Sequence, residues 1–222
     1  MQQEVALSEG TSRRGFLTDS AKVAGGGALA LALGGTALMD TAEAQVTDVK
    51  VLNFALTLER LEYAFYRDGL KKFSERDFKG SSTIRNGGFG PRITNTVYDY
   101  FELIREHERI HVETLVSVVK SFGAKPVPEC KYNFGYGNDI NAFIDVAQAL
   151  ENTGVKAYDG ALKLFDRPSL RTAGATIATV EARHASYLNL INGDVPFPDA
   201  FDEALMRRKV LEIAGQFIVS CP

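Results

Sequence analysis

Beyond residue 45, apolar residues recur at intervals of three and four, a spacing that predicts helices and not strands. Val51, Phe54, Ala55, Leu58, Leu61, Phe65 and Leu70 form one such stripe between Val46 and Phe73. They describe the buried face of a long amphipathic helix. Gly80, Gly87, Gly88, Gly90 and Pro91 then break the pattern. Ile93, Val97, Phe101, Ile104, Ile110, Leu115, Val118 and Val119 resume it as far as Gly123. The stretch 124–137 has no period and contains Pro126, Pro128, Gly135 and Gly137. A third helix is expected from Ile140 to Phe165. A fourth opens at Pro168 or Ser169 and stops at Gly193. Past Pro196 and Pro198 the pattern predicts a shorter helix, roughly from Phe201 to Phe217. No segment alternates as a strand would. The expected fold is all-α: an antiparallel four-helix bundle with a short fifth helix at the C-terminus.

Composition narrows the chemistry. Lys and Arg number 25 against 28 Asp and Glu in 222 residues, a formal charge of -3. Nowhere are the basic residues concentrated, which argues against nucleic-acid partners. The two cysteines, Cys130 and Cys221, are too few for a disulfide-built scaffold, and their pairing stays open at this level.

Residues 1–44 read as an address and residues 45–222 as the bundle domain. Arg13 and Arg14 stand in the run Ser-Arg-Arg-Gly-Phe-Leu, ahead of a Gly/Ala/Leu stretch from Val23 to Met39 and then Ala42-Glu43-Ala44. This resembles a twin-arginine export signal. The stretch is short of the roughly 20 apolar residues of a stable span, and no membrane span is expected in the mature chain. The resemblance implies the twin-arginine export machinery as a partner and the periplasm as destination. That route carries proteins already folded, often with a cofactor loaded.

Two of the chain's three histidines close the same motif, Glu108-Arg109-Ile110-His111 in helix two and Glu181-Ala182-Arg183-His184 in helix four. On a helix, side chains three apart share a face one turn apart, so each pair can turn a carboxylate and an imidazole toward one point. Helices one and three each carry a Glu followed seven positions later by a Tyr: Glu59 with Tyr66, and Glu151 with Tyr158. The chain is thus a weak two-fold repeat. At about 1.5 Å rise per residue, Glu59 and Glu108 lie roughly 21 and 24 Å from the turn joining their helices, and Glu151 and Glu181 about 21 and 18 Å from theirs. All four glutamates fall near mid-bundle. Four carboxylates gathered there repel and desolvate one another unless cations compensate them. Oxygen-rich ligation with one nitrogen per ion suits iron or manganese better than structural zinc.

These blocks, Leu58 to Tyr66, Glu108 to Val112, Leu150 to Ala161 and Val180 to Ala185, resemble the ferritin-like di-metal carboxylate family, especially its exported bacterial members. Its known bundle pattern is one Glu from each of two helices and Glu-x-x-His from each of the other two. The resemblance implies a pair of divalent ions, iron or manganese, held by Glu59, Glu108, His111, Glu151, Glu181 and His184. Tyr66 and Tyr158 resemble the family's tyrosines that hydrogen-bond ligating carboxylates, with a plain core aromatic as the other reading. Glu62, one turn beyond Glu59, is the alternative ligand. The repeat favours Glu59, because Gly154 occupies the place of Glu62 in helix three. His107 precedes Glu108 and turns about 100° away from it, which suits solvent or a place behind the ligands.

The implied function is an oxidoreductase of the ferroxidase, peroxidase or catalase type, with metal ions and small oxygen species as partners in oxidative stress. The competing readings are a non-catalytic, metal-sequestering or stress-associated bundle and a purely structural module whose glutamates would be exposed. Iron against manganese, the electron partner and a homo-oligomer all stay open.

Overall fold

The computed structural model describes residues 42–222. The export motif at Arg13 and Arg14, and the rest of the N-terminal segment through Thr41, lie outside the described residues. Among the described residues, four long helices carry the fold: α1 (Ala42–Lys72), α5 (Val97–Ser121), α6 (Ile140–Leu162) and α7 (Pro168–Ile191). Three short ones, α2 (Glu75–Gly80), α3 (Ser82–Asn86) and α4 (Pro91–Thr94), occupy the Gly-rich stretch expected only to break the helical pattern. The C-terminal helix α8 (Arg207–Ala214) is shorter than its pattern predicted and passes into a 3₁₀ turn at Gly215–Phe217. Among the described residues no helix is long and apolar enough to cross a membrane.

Helix ends follow local chemistry. Asp139 caps α6 by accepting from the backbone N–H groups of Asn141 and Ala142. Pro168 stands in the first turn of α7, where its missing N–H costs nothing. Gly123 and Gly193 take left-handed backbone, φ 69° and 83°, just past α5 and α7, a conformation that glycine adopts without a Cβ clash.

Side-chain pairs fix the helix directions. Tyr66 reaches Glu151 and Tyr158 reaches Glu59, so α1 and α6 run antiparallel. Glu59 meets His111 and Gln45 meets Phe122, which makes α1 and α5 antiparallel as well. It follows that α5 and α6 are parallel, and the segment 122–139 must travel the length of the bundle. It does so along α1. Asn53 holds Lys125 and Val127, Arg60 donates to the Val127 carbonyl, and Arg67 pairs with Glu129 at 3.0 Å. The connection between α5 and α6 is therefore a long crossover.

The end of the bundle where this crossover arrives is packed with aromatic rings: Phe65, Tyr66, Phe78, Phe101 and Phe143 are fully buried, with Phe65 stacked on Phe143 at 4.5 Å. The crossover also carries a feature that periodicity did not predict, the two-residue strand β1 (Lys131–Tyr132). It pairs antiparallel with β2 (Ile218–Ser220). Beside this ladder Cys130 and Cys221 form a disulfide across 91 positions, fixing the C-terminus to the crossover.

Candidate metal centre

The six residues singled out by the repeat converge in the bundle interior. Glu59, Glu108, Glu151 and Glu181 are completely buried, and His111 and His184 nearly so. Each long helix contributes to this centre because its ligand position lies on the same stripe as its core residues. Glu108, for example, sits between Ile104 and Val112 on the buried face of α5. The arrangement excludes a purely structural module with exposed glutamates.

Two overlapping groups of donor atoms result. Glu59, Glu108, His111 and Glu181 place one atom each within 4.8 Å of one another, and so do Glu108, Glu151, Glu181 and His184. Glu108 and Glu181 belong to both. The donors come from the Glu-x-x-His helices, α5 and α7, and from the single glutamates of α1 and α6.

The hydrogen-bond count around these atoms is incomplete. His111 Nδ1 stands 3.2 Å from both Glu59 and Glu108 and 3.3 Å from Glu181. One ring nitrogen carries at most one hydrogen and cannot serve three carboxylates. His184 Nδ1 is likewise 3.1 Å from Glu151 and 3.2 Å from Glu108. Glu108 Oε1 and both Glu181 oxygens are buried without a hydrogen-bond partner; the nearby imidazoles are close enough for charge attraction but not aimed as donors. Buried oxygens left in this state cost roughly 1–3 kcal/mol each, or more when charged. Ring nitrogens and orphan carboxylate oxygens directed at common points are what a divalent cation would satisfy, and the donor set fits such a pair.

Electrostatics of the metal-free cluster agree. Burial pushes the Glu59 carboxyl up to about 7 even though His111 opposes it. Glu62 and Glu181 are raised well above the carboxylate range, by burial first and then by neighbouring carboxylates. Burial would raise Glu108 too, but His111 and His184 outweigh it and hold it low. Both histidines lie well above their ordinary value, because the surrounding carboxylates overcome the effect of burial. Positive charge is wanted here, and without metal it is supplied by protons.

The tyrosines cross between halves. Tyr66 of α1 donates to Glu151 of α6 at 2.7 Å, and Tyr158 of α6 donates to Glu59 of α1. Burial and the adjoining carboxylates raise both phenols, keeping them protonated donors. The repeat predicted their level; it did not predict that each would serve the other half's glutamate. Glu62, the alternative ligand, is buried as well but belongs to neither group of donor atoms. A Cβ at Gly154 would stand 3.0 Å from Glu62 Oε1 and 3.0 Å from Glu181 Oε2. Glycine there leaves the room these two carboxylates fill.

A bundle of four long helices with carboxylates and imidazoles at its centre defines a ferritin-like protein. Residues 47–194 match the family described as Ferritin-like domain, and the chain belongs to that family. It is similar to Protein rds1 of Schizosaccharomyces pombe (strain 972 / ATCC 24843), at 25% identity over 175 residues, which are 79% of this chain and 40% of that protein. The chain thus spans 40% of that relative's length.

Proposed function

We propose that this chain is an exported ferritin-like protein in which Glu59, Glu108, His111, Glu151, Glu181 and His184 hold two divalent ions, iron or manganese, that react with oxygen or peroxide. The observation that carries the reading is the pair of overlapping buried donor groups sharing Glu108 and Glu181, with three of their oxygens unpartnered. Bound there, such a pair would supply redox chemistry at a small oxygen species.

The chain's own residues set the conditions. Glu108 and Glu181, which belong to both donor groups, would help to hold both ions, while Glu59 with His111 and Glu151 with His184 would each help to hold one. Tyr66 and Tyr158 hold the two terminal carboxylates in orientation. Apolar packing excludes bulk water. The cavity beside Glu62, lined by Leu58, Leu61, Leu150, Thr153, Gly154 and Ala214, has room for roughly one water-sized molecule.

A second reading, sequestration without turnover, draws support from the complete burial of the four glutamates. Metal analysis of protein purified from its own host tests both: two ions per chain are expected, and less than about 0.2 would reject a native two-ion site. Peroxide or oxygen consumption by the loaded protein then separates catalysis from storage. Export is a further part of the proposal, resting on Arg13 and Arg14. Lys-Lys in their place is expected to leave the protein in the cytoplasm; undiminished export would reject the signal.

A further inference from the structure

His111 and His184 are equivalent in the repeat, each three residues after a shared glutamate. Behind the rings the equivalence ends. His184 presents Nδ1 to Glu108 and Glu151, and its Nε2 lies 2.9 Å from Nδ1 of His107. The two rings are within 12° of coplanar and their centres are 5.2 Å apart. That is the separation left when a centre-to-nitrogen radius is added at each end of the contact. The rings therefore meet edge to edge along a hydrogen bond and do not lie face over face.

In the other half, the residue preceding the glutamate is Val180, which has no polar side-chain atom to offer His111. Among the described residues, no side-chain hydrogen bond reaches Nε2 of His111, whose bonds all run from Nδ1.

The direction of the bond follows from the chemistry on the far side of His184. With Nδ1 ligating an ion through its lone pair, the neutral ring of His184 carries its hydrogen on Nε2 and donates it, and His107 Nδ1 accepts. A ligating imidazole held through its other nitrogen is oriented and made more basic, and loss of such a partner typically weakens metal binding about 10–100-fold.

We infer that His107 is a positioning residue that makes the two ion positions unequal: by fixing His184, it makes the position completed by Glu151 and His184 bind a divalent cation more tightly than the one completed by Glu59 and His111. The inference rests on the two-ion reading above.

Calorimetric titration of the metal-stripped full chain with Mn²⁺ or Co²⁺ tests it. Wild type is expected to bind two ions in separate steps. In His107→Val, which copies the environment of His111, the tighter step should weaken about 10–100-fold and the weaker step should hardly move. His107→Asn puts an acceptor oxygen where Nδ1 stood and should restore the unequal steps. Equal affinities in wild type, equal weakening of both steps in His107→Val, or a His107→Asn variant that behaves like His107→Val would each overturn the inference. Failure of wild type to bind either ion would instead remove the two-ion reading on which it stands. Circular dichroism reports whether the variants fold. Should they not, imidazole ¹⁵N spectra of wild type loaded with diamagnetic Zn²⁺ decide: a protonated His184 Nε2 facing an unprotonated His107 Nδ1 is expected, and the opposite arrangement would overturn it.

Discussion

The halves α1–α5 and α6–α7 carry the same Glu-to-Tyr step and the same Glu-x-x-His pair, yet they differ at two places against the cluster. Glu62 in the first half faces Gly154 in the second, and His107 in the first is matched by Val180 in the second. The shared residues explain why two similar donor groups form around one centre. The differing ones make the two halves unlike where they meet the cluster. A side chain as long as Glu62 can be buried against the cluster because its counterpart was reduced to a hydrogen atom. The cross-links between halves, Tyr66 to Glu151 and Tyr158 to Glu59, mean that neither half builds its own site.

The most severe way to break this comparison is to remove a residue the halves share. Glu108→Ala or Glu181→Ala should abolish binding of both ions, whereas Glu59→Ala or Glu151→Ala should each leave about one ion per chain. Metal content of the purified variants checks this, and full occupancy in any of the four would reject the ligand set.

Opening the Cys130–Cys221 clip, which belongs to neither half, should destabilise the fold by roughly 4.6 kcal/mol on the chain-entropy account of so long a loop. Denaturant unfolding of Cys130→Ser with Cys221→Ser measures it. The metal stoichiometry should be unchanged, because the clip lies on the crossover and the tail.

The metal-free cluster should respond to pH in a direction opposite to that of most buried ion pairs. Glu59, with its carboxyl raised to about 7, binds a proton in the folded chain that it lacks when unfolded, so stability falls as pH rises from about 4.5 toward 7. For Glu59 alone this amounts to about 3 kcal/mol. Glu62 and Glu181, also raised, act in the same direction. His111 and His184, raised too, contribute stability that is full below about 6.5 and is lost above it. Glu108, held low, works the other way and contributes stability that is lost only under stronger acid. Thermal unfolding of metal-stripped protein should therefore show a maximum at mildly acid pH, and adding Mn²⁺ should move the maximum to neutral. A metal-free optimum at pH 8 would contradict the picture.

Smaller effects sharpen the likeness of the halves. Tyr66→Phe and Tyr158→Phe each remove one hydrogen bond to a buried carboxylate and should cost similar amounts, about 1–3 kcal/mol, read by denaturant unfolding. A large difference between them would show that the two tyrosines do not play equivalent parts. Gly154→Ala is expected to be the mildest. Better helix propensity, worth up to about 1 kcal/mol, is set against displacement of the Glu62 and Glu181 carboxylates, so stability should move little while ion affinity falls several-fold in titration.

Much of this was legible in the chain because it depends on local spacing. The four long helices follow from apolar period, and Gly123, Pro168 and Gly193 mark three of their ends. The level of the six cluster residues follows from helical rise, and their inward orientation from the stripe on which they lie. Period could not show the short helices α2–α4 or the β1–β2 ladder, because segments of two to six residues are too brief to display one.

By itself the sequence determined an all-helical bundle and a set of Glu, His and Tyr side chains at a common height, since both are properties of single helices. Only the tertiary structure decided which half each tyrosine serves, that Glu62 is buried against a glycine, that Cys130 meets Cys221, and that His107 reaches His184. Each of these joins residues from different helices or segments, and such pairings depend on how the helices are rotated and how near they approach, which no residue spacing along one helix encodes.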